Sequence, residues 1–120
     1  MYVDDDTRAR HMRDAARDAL RFVTGRTRAD LDSDRMLHSA LVWNLTITGE
    51  AAAHLTPETR AALAEAAWPK IVAMRNRLVH GYYLIAADIV WDTVTRDLPP
   101  LLAALVGWLT HEVGGEETPC

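Results

Sequence analysis

The chain has 120 residues with 13 basic and 17 acidic side chains, a formal charge of −4, which fits one domain with a modest core and argues against a protein that coats nucleic acid by bulk charge. Its single cysteine, Cys120, leaves no intrachain disulfide and no cysteine metal cluster to build. The first ten residues, MYVDDDTRAR, lack an apolar signal core, and the longest apolar run, residues 98–109, is short and interrupted by Pro99, Pro100 and Gly107, so the expectation is a cytoplasmic protein with no membrane segment.

A first helix is expected from Asp6 or Thr7, either of which can cap it, to about Thr24, where Gly25 stops it. Met12, Ala15, Ala16, Ala19, Phe22 and Val23 are expected to supply its buried side. Arg10, Asp14, Arg17, Asp18 and Arg21 alternate in sign at helical spacing, which reads as a solvated, self-paired face. An RNA path along Arg13, Arg17 and Arg21 is the alternative. Residues 26–31 read as a connector, and Asp32 or Ser33 as the cap of a second helix running to about His54.

That second helix carries two apolar sides. One is Leu37, Leu41, Leu45, Thr48, Ala52 and Leu55, with Asn44 at its edge; the other is Met36, Trp43, Ile47 and His54 around Glu50. A helix apolar on two sides needs two neighbours, and in a short chain the second can be another subunit. Gly49 either permits a close helix approach or is a tolerated weak spot. Thr56-Pro57-Glu58 starts a short helix, with Thr56 as cap, to about Ala66.

Residues 68–83, WPKIVAMRNRLVHGYY, organise the rest. Pro69 suits a first helical turn and Gly81 a helix stop. At about 100° per residue, Ile71, Val72, Met74, Leu78 and Val79 share one face, and Arg75 falls inside it. A guanidinium there is costly unless it is paired or opens to a cleft. His80, with Asn76 one turn behind, sits near the helix end; an always-charged cation and a group titrating near neutrality make a phosphate-handling pair. On a straight helix Arg75 and His80 lie about 140° apart, so they converge only if the helix loosens, the arginine reaches round, or the pair forms between subunits. Asp88 is expected to cap a helix bearing Ile89, Val90, Trp91 and Val94, which Pro99-Pro100 must break or kink before residues 101–113 continue. No strand alternation appears. Residues 1–113 therefore read as one all-α, up-and-down bundle of four or five helices, and residues 114–120 as a tail.

The R-x-x-x-x-H spacing alone is unspecific. Taken with NLTITGEAA at residues 44–52 and DIVWDTVTRDLPPL at residues 88–101, in this order and at these separations, the chain resembles the HepT-like group of the HEPN superfamily over residues 7–109. The resemblance implies a HEPN four-helix bundle with an additional short helix, a homodimer, and a toxin acting as a metal-independent endoribonuclease that needs no cofactor. It maps the family's R-x-x-x-x-H-x-Y motif onto Arg75, His80 and Tyr82, with Asn76 as the polar residue after the arginine. It also implies an MNT-type nucleotidyltransferase antitoxin that places AMP on Tyr82.

The side chains suit that chemistry. RNA supplies its own 2′-hydroxyl nucleophile, His80 can move protons at neutral pH, and Arg75 offers a fixed fork of donors to phosphate oxygens. Single-stranded loops such as those of tRNA are the favoured substrate, since an acidic chain suits duplex RNA poorly. Asn44 and Glu50 are candidate contacts of Arg75, with plain core or interface hydrogen bonding as the other reading. Tyr83 is a further candidate for modification, or a partly buried wall residue. Trp43, Trp68, Trp91 and Trp108 read as core or dimer anchors, and His11, His38, His54 and His111 lack metal-site spacing. The competing reading is a catalytically inactive HEPN module that engages a nucleotidyltransferase or a nucleotide. In a third, the chain mainly activates that transferase.

Overall fold

The computed structural model describes residues 4–63, 66, 68–79 and 87–112, and all regular structure among them is helical. The elements are α1 (Asp5–Val23), α2 (Asp30–Ser33), α3 (Arg35–Ala53), α4 (Pro57–Ala62), α5 (Trp68–Val79), α6 (Ala87–Asp92), a π-helical segment (Thr93–Asp97) and α7 (Leu98–Glu112). His80, Gly81, Tyr82 and Tyr83 lie outside the described residues, as do residues 114–120.

Capping chemistry sets most boundaries, sometimes a residue or two from the expected one. Asp4, rather than Asp6 or Thr7, caps α1 by accepting from the Thr7 amide at 2.9 Å, which leaves Asp5 and Asp6 in the first turn against the helix dipole. Gly25 carries a φ of +77°, the left-handed geometry that ends a helix at little cost for glycine. Asp34 takes the capping role expected of Asp32 or Ser33, accepting from the Leu37 amide at 3.1 Å; the earlier pair is consumed by the single turn of α2. Thr56 caps α4 as its Thr-Pro sequence implies. Asp88 lies inside α6 instead of capping it and accepts from Arg28 Nε.

Pro99-Pro100 neither breaks nor ends the last helix. Two consecutive residues without an N–H cannot complete α-type bonds to the preceding turn, and the backbone accommodates this by widening. The Leu98 amide donates five residues back to the Thr93 carbonyl, with Asp92 and Leu98 both in ordinary right-handed helical conformation. Residues 87–112 thus continue as one helical run, with the prolines in the first turn of α7.

Packing closes these elements into a bundle: α3 packs on α1 and α5, α7 packs on α1, and the π-helical segment touches both α1 and α5. Met12, Leu41, Leu63, Leu98, Leu101 and Leu105 are fully buried at the centre. Each such side chain contributes about 1.5–3 kcal/mol through removal of apolar surface from water. Alanines Ala9, Ala16 and Ala19, all fully buried, let α1 approach its neighbours closely. Phe22 and Val23, expected in the core, only line it.

Candidate functional site

α3 and α5 meet where Gly49 faces Arg75. A β-carbon on Gly49 would lie 2.5 Å from Arg75 Cβ, 3.0 Å from its Cγ and 3.2 Å from its Cα. Backbone thus rests almost directly on the root of the arginine side chain, and of the two readings of Gly49 the structure shows the close approach.

α5 buries Ile71, Met74 and Leu78, and Arg75 leaves the helix at the edge of that face, with its side chain 27% exposed. Its Nε is shielded from solvent and makes no hydrogen bond among the described residues. Among the described residues its counter-charge is Glu50, with Oε2 at 3.4 Å, an ion pair without hydrogen-bond alignment. Arg75 Nη1 donates to Asn76 Oδ1 at 3.2 Å. Nε therefore faces a carboxylate and one Nη an amide oxygen. A guanidinium has five N–H donors, so among the described residues a substantial part of the fork is left to address an anion.

Of the two candidate contacts of Arg75, Glu50 is at the arginine. Asn44 is buried and turns its side-chain Nδ2 into its own helix, donating to the Ala40 carbonyl at 3.1 Å, while its main-chain carbonyl accepts from Thr48 Oγ1 at 2.8 Å. It fits the core hydrogen-bonding reading. His80 and Tyr82 belong to the segment between Leu78, buried in α5, and Ala87, which opens α6.

The second apolar side of α3 is uncovered. Met36 is 79% exposed and Trp43 65%, so Trp43 is not a core residue of the single chain. Trp43 stands where three grooves meet. One is bounded by Arg35, His38 and Thr46 and reaches Leu78 and Ala87, the described side chains on either side of the His80–Tyr82 segment. Another is bounded by His11, Asp14, Phe22 and Ile47, and the third by Arg8, His11, Glu50 and His54. Met36, Ala40, Trp43, Ile47, Glu50 and His54 follow one another at alternating spacings of about four and three residues, the interval of a seam that packs against another helix. Glu50 belongs both to this seam and to the Arg75 pair.

A support that sequence reading passed over is Arg60. Its Nη2 donates to the Ala52 carbonyl at the end of α3, at 2.8 Å, and its guanidinium lies 5.5 Å from the Trp68 ring centre at the start of α5. Trp68 Nε1 in turn donates to the Arg60 and Leu63 carbonyls, each at 3.2 Å. Arg60 ties together the two helices that cross at Gly49. Its equal spacing of eight residues from Ala52 and Trp68 is a faint signal, legible only once the turn through α4 is known.

On the other side of α5, Asp97 lies with its side chain 12% exposed and Lys70 Nζ 3.9 Å away. Burial pushes its carboxyl above the usual carboxylate range. Among the described residues no three His, Cys, Asp or Glu side chains converge as metal ligands, and no helix is long and apolar enough to cross a membrane.

Comparison with known proteins bears on the same segments. Residues 12–106 match the family described as "Ribonuclease HepT-like". "Putative RNase TTE0752" of Caldanaerobacter subterraneus subsp. tengcongensis is 34% identical over 79 residues, 66% of this chain and 70% of the relative. "Putative RNase MJ1380" of Methanocaldococcus jannaschii is 26% identical over 88 residues, 73% and 81% of the two chains. "Probable ribonuclease HepT" of Thermococcus cleftensis is 29% identical over 72 residues, 60% and 66%. No solved structure matches the chain.

Proposed function

The chain belongs to the HepT-like ribonuclease family, and we propose that it is a metal-independent endoribonuclease, the toxin of a toxin–antitoxin pair, working as a homodimer on single-stranded RNA. The observation that carries this reading is the family match across residues 12–106 together with the half-buried Arg75, held by Glu50 and Asn76 with much of its donor fork unused among the described residues.

In this reaction the ribose 2′-hydroxyl attacks the adjacent phosphorus. His80, or its copy across the dimer, takes the hydroxyl proton, and an imidazolium returns one to the leaving 5′-oxygen. Arg75 binds the non-bridging oxygens as negative charge builds on the phosphorane, where a preorganised donor does most for the barrier. Asn76 orients the guanidinium. The products are a 2′,3′-cyclic phosphate and a 5′-hydroxyl.

The uncovered seam of α3 supports the dimer. Two large apolar side chains standing in water on one helical face favour a second helix, and a copy of this chain offers the same face. Inhibition by the partner, an MNT-type nucleotidyltransferase, proceeds through Tyr82: its hydroxyl attacks the α-phosphate of ATP, pyrophosphate leaves, and the resulting AMP ester sets a negative charge and a nucleoside two residues from His80. That charge repels the RNA backbone and competes for Arg75.

The test is a single-stranded oligoribonucleotide that the purified chain cleaves in EDTA, compared with the same strand carrying a 2′-deoxyribose 5′ of the cleaved bond. Cleavage of the first and survival of the second are expected. Equal cleavage of both would remove the 2′-hydroxyl mechanism.

A further inference from the structure

We propose that Gly49 and Glu50 form a seat that aims Arg75, making both of them positioning residues for the phosphate-binding guanidinium. The inference rests on the reading of Arg75 given above but adds residues that the R-x-x-x-x-H motif does not contain.

Three observations converge. The first is contact. Arg75 Cα, Cβ and Cγ all lie within 3.2 Å of where a β-carbon on Gly49 would be. Real side-chain carbons do not approach to 2.5 Å, and what stands opposite is backbone and the root of a side chain rather than a flexible tip, so any residue larger than glycine drives α5 away from α3. Relief of such an overlap requires a shift on the order of 1 Å, and a misplacement of that size can cost about 10²-fold in rate.

The second is direction. Glu50 follows Gly49 in α3, and its carboxylate lies 3.4 Å from Arg75 Nε, which is otherwise shielded and without a hydrogen bond among the described residues. A buried guanidinium N–H facing a carboxylate fixes which edge of the planar group turns inward. On the group itself, Nη1 is held by Asn76 Oδ1. Without that carboxylate the group can rotate about its long side chain, and its preorganisation is lost.

The third is support. Arg60 bonds the end of α3 and stacks near Trp68 at the start of α5, so the two helices are held at a second point and the seat does not slide. Gly49 sets where Arg75 stands, Glu50 sets which way it faces, and Arg60 keeps the crossing closed.

The experiment compares the parent, Gly49→Ala and Glu50→Gln in kcat and KM on one cleavable oligoribonucleotide, together with the Nε–Hε NMR resonance of Arg75, thermal unfolding and oligomeric state. Glu50→Gln keeps size and, at a half-exposed position, folding; it decides the matter if Gly49→Ala does not fold. For a seat, kcat falls about 10- to 100-fold in folded, parent-like assemblies while KM changes less than about threefold. The Arg75 Nε–Hε resonance moves and exchanges faster with water. Parental kcat with an unmoved Nε–Hε signal overturns the proposal, as does a loss of kcat without any change in that signal. If the parent cleaves no RNA while the resonance still moves in both variants, the seat stands and the nuclease reading falls.

Discussion

Arg60 donates to the Ala52 carbonyl at 2.8 Å while its guanidinium lies 5.5 Å from the centre of the Trp68 ring, so one side chain joins the end of α3 to the beginning of α5. A charged donor on a helix-terminal carbonyl contributes about 1.5–3 kcal/mol, and the ring contact about 0.5–1 kcal/mol. Arg60→Ala should therefore lower stability by roughly 2–3 kcal/mol in urea unfolding. Arg60→Lys should recover only part of that, because an ammonium cannot lie flat against the indole and donate to Ala52 together. Full recovery by lysine would show that charge alone matters.

Asp5 accepts from Thr56 Oγ1 at 2.6 Å and from Thr59 Oγ1 at 2.5 Å, binding the start of α1 to α4. Burial pushes its carboxyl up, but the hydrogen bonds from Thr56 and Thr59 outweigh it and the group titrates below the usual carboxylate range. A depressed folded-state pKa gives stability that is present above the unfolded value, about 3.9, and lost as pH falls through the folded one. Asp5→Asn should cost roughly 1–3 kcal/mol at pH 7, and less as the parent is acidified below about pH 4. A difference between parent and variant that does not change with pH would contradict this.

Asp97 runs the other way. Burial raises its carboxyl, with Lys70 opposing and Asp92 reinforcing the shift. The folded state thus holds this proton more tightly than the unfolded chain, and the associated stability is complete below about pH 3.9 and lost as pH rises through the folded value. Asp97→Asn should gain on the parent between pH 4 and pH 7 in paired unfolding curves. If the parent instead gains on the variant as pH rises, the Lys70 pair outweighs burial.

Trp43 and Met36 make a prediction about assembly. With Trp43 65% exposed at the middle of the α3 seam, Trp43→Glu places a charge where a second copy is proposed to pack. A central aromatic anchor of an interface contributes about 2 kcal/mol or more, roughly thirtyfold in Kd. Sedimentation should show a dimeric parent and a variant shifted to monomer with unchanged helix content. A monomeric parent would remove the α3 seam as the subunit contact.

Sequence alone gave good access to features encoded within one or two turns. The Thr56-Pro57 start of α4, the Gly25 stop and the double-sided α3 all follow from local chemistry, as does the all-helical bundle. Errors arose where two local signals competed. Asp32 and Ser33 are sound caps, but Asp34 is also one, and α2 takes up the earlier pair. Pro99-Pro100 satisfies the rules for a break or a kink; the break does not occur, because a π-helical turn provides a helical solution that residue preferences do not reveal. At the site, helical periodicity identified Arg75 as a cation in need of a partner. Glu50 and Asn44 stood on equal terms until the crossing was seen, because which residue of α3 meets α5 depends on packing that no short spacing encodes. His80 and Tyr82 rest on the motif and on the family.

The most direct measurement is cleavage of a pool of cellular RNA by the purified, unmodified chain in EDTA, alongside His80→Ala and Arg75→Ala, with end-group analysis of the fragments. A ribonuclease built on these residues yields 2′,3′-cyclic phosphate and 5′-hydroxyl ends with the parent and at least about a hundredfold less product with either folded variant. Parental cleavage by His80→Ala, or no cleavage by a parent whose mass shows Tyr82 unmodified, would contradict it.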